Sequence, residues 1–357
     1  MKITHLEIFA RSMPLMEPYT IAYETIDRCV NMILRLESDS GILGWGCAAP
    51  DLAVTGETIH SVETAFNDVI FPYLKGQNAL MHTRLINHLG PHLKTRPAAL
   101  AMVDMALYDL VSKRARLPLF QYLGGYRTSI PTSITIGILP PDKTLQKVLE
   151  YVNDGFRIVK IKGGNNVEED IEKVNLIADR FQGKIEIRFD ANQGYSVEEA
   201  VYFYKSTKDS GLTLLEQPTD RKNDEFLKQV SRKVPIPVMA DESLMTLKDV
   251  FRLTRRDCTD MINIKIMKVG GIGEAMHINS VARAAGVEAM VGCMDESALG
   301  ISAGLHFSLS RPNVIYADLD GHLDLMEDPF SKLFELRKGV LYPNNQSGLG
   351  VETTFKM

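Results

Sequence analysis

The 357-residue chain carries 40 Lys and Arg against 45 Asp and Glu, a formal charge of −5, with 45% hydrophobic and 24% charged residues. These are globular averages, so wholesale disorder and fibrous repeats are excluded. The basic excess needed to bind nucleic acid or an anionic membrane surface is missing, which leaves a small molecule as the expected partner. Cys29, Cys47, Cys258 and Cys293 form no C-x-x-C pair, so a reducing cytoplasm is the expected compartment rather than an oxidising one. The opening MKITHLEIFARSM lacks a signal-peptide apolar core, and no apolar run is long enough to span a membrane. The length suits two domains, and a homo-oligomer is expected.

In chain order, residues 1–125 read as an α+β domain. THLEIFA and VNMILRLESDSGILGWG alternate as strands around a Ser40-Gly41 turn, and helices follow around 57–75 and 97–115. Residues 126–320 change pattern. Short β-branched runs begin near Pro131, Arg157, Ile185, Leu212, Ile236, Met261, Val287 and Val314, about 26 residues apart, which is the length of one strand, one helix and two loops. Eight such units close a parallel barrel. Ser196 and Glu199 form a capping box before the helical stripe Val197, Ala200, Val201, Tyr204. Residues 321–357, rich in Gly, Pro and Asn, leave the pattern and are expected to pack back on the first domain.

Residues at the C-terminal ends of barrel strands face one site. The second strand ends in Lys160-Ile161-Lys162, the third in Asp190-Ala191-Asn192, the fourth in Glu216-Gln217-Pro218 and the fifth in Asp241-Glu242-Ser243, while the sixth carries Lys265. Alternation puts Lys160 and Lys162 on one face. Three converging carboxylates would repel one another without a cation, whereas together with water and a substrate oxygen they make the oxygen-rich shell that Mg²⁺ prefers. Asp190, Glu216 and Asp241 are therefore the candidate ligands of one Mg²⁺, with Asn192 and Glu242 beside them. A lysine next to another ammonium, and desolvated, is expected to lose its proton readily enough to act as a base.

On these residues the chain resembles the muconate-lactonizing-enzyme subgroup of the enolase superfamily along its whole length. The resemblance implies a modified TIM barrel, (β/α)₇β, under an N-terminal α+β capping domain completed by the C-terminal tail. It implies that Lys162 faces Lys265 across a substrate whose carboxylate is chelated to Mg²⁺. One lysine removes the α-proton, the enediolate is stabilised by the metal and by ammonium groups, and the second lysine returns the proton on the opposite face, with Lys160 tuning Lys162 and touching the enediolate.

The eighth strand ends VIYADLDGHLDL, with Asp318 and Asp320 on one face. Dipeptide epimerases carry such a pair to receive the substrate's α-ammonium, and GCMDESALGISA is similar to their seventh-strand segment. The resemblance thus points to epimerisation of the C-terminal residue of an L,L-dipeptide. The alternatives on the same scaffold are an o-succinylbenzoate synthase, an N-acylamino-acid racemase or a cycloisomerase, and outside catalysis a small-molecule binding protein. In EPYTIAYETID, read as a loop, Glu24 stands where L-Ala-D/L-Glu epimerases place an Arg for the substrate's glutamate. Asp51 and Asp295 add two acids, so a cationic or non-acidic dipeptide is expected. Gly270-Gly271-Ile272-Gly273 is expected to be a turn rather than a phosphate loop, and Asp104 and Asp109 to be structural acids beneath the domain interface.

Overall fold

The structure is a computed structural model and describes residues 1–21 and 24–352, with the side chains of 18–26 outside that description. Strands β1 (Ile3–Ile21), β2 (Glu24–Ser38) and β3 (Leu43–Ala48) form an antiparallel sheet in the order β1-β2-β3. The segment read from sequence as a loop is instead the far end of a long ribbon, in which Thr20 pairs with Thr25 and Ile21 with Glu24. β-branched residues on both sides favour this extended pairing. The sheet packs on α1 (Ile59–Ala65), α2 (Phe71–Leu74), α3 (His82–His92) and α4 (Pro97–Arg114). A π-helical turn, Phe66–Ile70, joins α1 to α2. Helix α4 is apolar almost all round because it is sandwiched between this sheet and the barrel. At Gly46 a Cβ would collide with the carbonyl of Met102, so glycine is what lets α4 lie directly on β3.

A short helix, α5 (Leu119–Tyr122), leads to β4 (Ile130–Pro131) and into the barrel. Its strands are β5 (Ile134–Ile136), β6 (Ile158–Lys162), β7 (Glu186–Asp190), β8 (Leu212–Glu216), β9 (Val238–Ala240), β10 (Met261–Lys265), β11 (Glu288–Gly292) and β12 (Val314–Asp318), parallel and in sequential order. The ring closes where Ser133 N donates to Ala317 O at 3.1 Å. Between the strands run α6 (Pro141–Asn153), α7 (Val167–Phe181), α8 (Val197–Thr207), α9 (Asp224–Lys233), α10 (Leu247–Arg255), the short α11 (Ile266–Val269) with α12 (Ile272–Ala284), and α13 (Ala298–Ser310). The Ser196–Glu199 capping box opens α8 as its residues predict.

Of the glycine run 270–273, Gly270 and Gly271 form the turn between α11 and α12, and Ile272 and Gly273 open α12. Asp104 of α4 reaches across from the first domain to accept from Ile272 N at 2.5 Å and Gly273 N at 3.2 Å, capping α12 from outside. Gly271, at φ 122°, leaves room for that carboxylate. Asp109 likewise accepts from Trp45 N, Leu349 N and Lys113 Nζ. The tail contains a hairpin that sequence patterning did not reveal, β13 (Phe334–Arg337) and β14 (Val340–Pro343), which pairs with β4. Beyond it, Gly348 exchanges backbone hydrogen bonds with Leu117 and Leu119 of the first domain.

Candidate active site

Alternation along each barrel strand carries every second side chain inward, and the uppermost inward residues converge at the C-terminal mouth. Lys160, on β6, is almost entirely buried. Its Nζ lies 2.7 Å from Glu216 Oε2, 2.9 Å from Asp318 Oδ2 and 3.1 Å from Asp190 Oδ2. Lys162, two residues on, is far more open, with 35% of its side chain exposed, and donates to Asn192 Oδ1 at 3.1 Å. Across the mouth Lys265 lies 3.0 Å from Asp241 Oδ2. A cavity of about 570 Å³ opens over Lys162, Asn192, Asp241, Glu242 and Lys265, and Ala53 and Val54 of the capping domain line its other side. A cavity of similar volume, about 560 Å³, lies between α3, α4 and α12, but it shares no residue with the mouth and is lined largely by apolar groups such as Ile86, Leu100 and Met276.

The carboxylates around Lys160 and Lys265 oppose the discharge that burial, and at Lys265 the ammonium of Lys160, favour. Burial alone would lower Lys160, but Asp318, Glu216 and Asp190 outweigh it and hold its ammonium well above the usual range. Burial also acts against the charge of Lys265, and Asp241 overrides it in the same way. Glu216 is raised to about 8, first by burial and then by Asp190, Asp241 and Asp318, with Lys160 opposing. Asp241 is held well below the carboxylate range despite its burial, because Lys265 and Lys268 flank it.

Asp190 and Glu216 are direct register partners on neighbouring strands, and Asp241 follows the next strand, β9. Among the described residues no three His, Cys, Asp or Glu side chains stand as a ready-made metal cluster; Lys160 sits between Asp190 and Glu216, and Lys265 beside Asp241. The donor chemistry nevertheless fits a hard dication. The three carboxylates are buried at adjoining strand ends, and Asp190 Oδ2, shielded from solvent, has no donor in hydrogen-bond geometry. Asn192, with φ 43°, and Gln217, with φ 31°, hold strained left-handed backbone just after β7 and β8.

Residues 3–124 match the family model described as "Mandelate racemase / muconate lactonizing enzyme, N-terminal domain", and residues 143–356 match "Enolase C-terminal domain-like". The chain belongs to this family of the enolase superfamily. It is 42% identical over 354 residues, covering 99% of both chains, to the L-Lys-D/L-Arg epimerase of Desulforapulum autotrophicum. The substrate-liganded L-Ala-D/L-Glu epimerase of Bacillus subtilis superposes with a TM-score of 0.94 at 36% identity, covering 98% of each chain. The dipeptide epimerase of Methylococcus capsulatus, complexed with Mg and L-Arg-D-Lys, gives a TM-score of 0.91 at 35% identity, covering 98% of this chain and 99% of that one.

Within this superfamily member the remaining candidates divide. Asp318 and Asp320 are both buried. Asp318 accepts from Ser133 Oγ at 2.6 Å and from Lys160, and Asp320 accepts from Thr135 N at 2.5 Å. Burial would raise Asp318, yet Lys160 and Ser133 bring it down to about 2, while burial and the charge of Asp318 push Asp320 up to about 7. Asn192 Nδ2 donates to Glu242 Oε1 at 3.0 Å, so these two meet beside the acids. Asp51 does not simply face the mouth: its Oδ1 accepts from Ala53 N at 2.7 Å and Val54 N at 2.9 Å and folds its own loop. Asp295, in the turn after β11, is exposed, and Glu24 lies among the residues whose side chains are outside the described set.

Sequence reading missed two buried members of the site. Asn263 donates to Glu216 Oε1 at 2.7 Å, and Lys268 donates to Asp241 O at 2.7 Å and to its carboxylate. Asn263 could have been found, because it shares a strand face with Lys265 two residues on. Lys268 could not, because it sits on the short helix α11, where strand alternation no longer applies.

Proposed function

We propose that this chain is a Mg²⁺-dependent dipeptide epimerase that inverts the α-carbon of the C-terminal residue of an L,L-dipeptide. The observation that carries the reading is Lys162 and Lys265 on opposite strands of the barrel, both lining the cavity at its mouth, with the buried carboxylates of Asp190, Glu216 and Asp241 at the strand ends between them and Asp318 and Asp320 at the end of the eighth strand. Asp190, Glu216 and Asp241 would hold Mg²⁺, which when bound supplies the positive charge that acidifies the α-proton of a chelated carboxylate.

The chain's own residues do the rest. The Nζ of one lysine, Lys162 or Lys265 according to the epimer, takes the α-proton, and the electron pair left on carbon spreads into the substrate carboxylate. The opposite lysine, carrying its proton, delivers it to the other face, so atoms and charge balance over the cycle. Lys160, charged and nearly buried among three acids, places a fixed ammonium at the floor of the mouth. Asp318 and Asp320 receive the substrate's ammonium, and Asn192 orients Lys162. The direct test is incubation with Mg²⁺ and dipeptides in D₂O. Deuterium at the α-carbon and loss of optical purity are expected, and their absence across a dipeptide library would refute the reading.

The preferred substrate is a cationic or non-acidic dipeptide, with Asp295, Asp51 and Glu24 as the candidate selectivity residues. The similarity to an L-Lys-D/L-Arg epimerase supports this preference. Asp324 and Asp51 add their negative charge around the Asp295 carboxyl, with Lys162 and Lys265 opposing them. A larger kcat/KM for L-Ala-L-Lys than for L-Ala-L-Glu is expected, and the reverse order would favour an L-Ala-D/L-Glu epimerase. We place the enzyme in the cytoplasm as a homo-oligomer. The free state of all four cysteines supports the compartment, and size-exclusion chromatography with light scattering tests the assembly.

A further inference from the structure

The turn after β11, Asp295-Glu296-Ser297, is held chiefly by residues from outside the barrel. Asn31, on β2 of the capping domain, is completely buried, and its side-chain amide grips the turn backbone from both ends. Its Oδ1 accepts from Ser297 N at 2.7 Å, and its Nδ2 lies 3.4 Å from Asp295 O, to which Cys29 Sγ also donates at 3.0 Å. One amide thus makes the donor-plus-acceptor contact that a neighbouring strand would make. From the tail, Asp328 accepts from Ser297 Oγ at 2.9 Å and from Ala298 N at 2.6 Å, where α13 begins. The turn is also wired to the eighth strand. Cys293 Sγ accepts from Gly321 N at 3.3 Å and lies 3.8 Å from Asp320 Oδ1, and a Cβ at Gly321 would strike Met294 O.

We propose that Asn31 is a positioning residue. By fixing this turn from the capping domain it sets the carboxylate of Asp295 and, through Cys293 and Gly321, the Asp318/Asp320 pair, so recognition of the dipeptide depends on a side chain two domains share. The inference rests on the reading of the site as a dipeptide epimerase. Asn31 acts on binding rather than on proton transfer, because the elements it holds carry the substrate-recognition acids and neither Lys162 nor Lys265.

The test combines kinetics with a measurement that needs no substrate. In Asn31→Ala, KM is expected to rise about tenfold, the scale of two lost hydrogen bonds, with kcat within about threefold of the parent. The Asn31→Ala/Asp295→Asn double variant should show a KM increase smaller than the product of the two single increases. A residue needed only for folding would instead lower the active fraction, reducing kcat while KM stays unchanged, and that result would overturn the proposal, as would a fully multiplicative double variant. Independently, backbone hydrogen exchange in peptides covering 293–299 should accelerate about tenfold in Asn31→Ala while the barrel strands keep their protection. Unchanged protection of this turn would overturn the proposal even if the enzyme acted on another substrate class.

Discussion

The two ends of the barrel interior are built from the same strands and differ completely. Two residues below Asp241 stands Met239, below Glu216 Leu214, below Asp190 Arg188 and below Asp318 Tyr316. These positions share a face and lie only about 7 Å lower along each strand. Leu214, Met239, Met261 and Met290 form their own buried cluster, and Arg188 lies 3.9 Å over the Tyr316 ring while pairing with Glu186 at 2.8 Å. The lower cation is met by one acid, one aromatic face, the Ala317 carbonyl and the Met290 sulfur. At the upper end Lys160 alone meets three carboxylates, Asp190 Oδ2 being held as an ion pair without hydrogen-bond geometry, and Glu242 Oε2 has no donor. The lower half resolves its charges and supplies packing, whereas the upper half leaves them concentrated for a ligand.

The sharpest way to separate the two ends is to truncate one side chain at each. Lys162→Ala and Lys265→Ala should each lower epimerisation by about 10³-fold or more, the scale of losing a general acid–base group, with little change in thermal midpoint. Each variant should still exchange the α-hydrogen of the one epimer that faces its surviving lysine. Ready epimerisation by either would remove the two-base assignment.

Met290→Ala, at the lower end, should do the opposite. A cavity among buried thioethers costs about 3 kcal/mol of unfolding free energy, read from the urea midpoint, while kcat/KM stays near that of the parent. A large loss of activity without loss of stability would mean that the lower layer shapes the mouth.

The smallest effect belongs to the seam between the domains. His306 of α13, wholly buried, accepts from Phe120 N at 3.0 Å, and burial lowers it to about 3. The unfolded chain binds the proton below pH ~6.5 while the folded chain does not, so this contribution to stability is complete above pH ~6.5 and lost as pH falls toward ~3. The slope is about 1.4 kcal/mol per pH unit. His306→Asn should therefore lose less stability than the parent between pH 7 and pH 5, and equal losses would assign acid sensitivity to the charged mouth instead.

How much was legible differs by the kind of contact. Lys160, Lys162, Asp190, Glu216 and Asp241 could be found because strand alternation and the barrel's polarity are local rules that send them to one face. Asp104 was readable as a structural acid, though not that it caps α12. The long ribbon of β1 and β2 was read short, since pairing of its outer half depends on register rather than composition. The β13–β14 hairpin was invisible in a tail whose glycines and prolines signal turns more strongly than its short strands signal pairing.

The sequence alone therefore determined the barrel, the acid and lysine array and the direction in which that array faces, because each follows from a period of two residues repeated at a regular spacing. Tertiary structure alone decided which charges touch. Asn263 meets Glu216 across 47 residues, Lys268 meets Asp241 across 27, Asn31 meets Ser297 across 266 and Asp328 meets Ser297 across 31. None of these pairs has a local signature, because a hydrogen bond requires two groups to arrive within about 3 Å, and only the packing of whole elements brings them there.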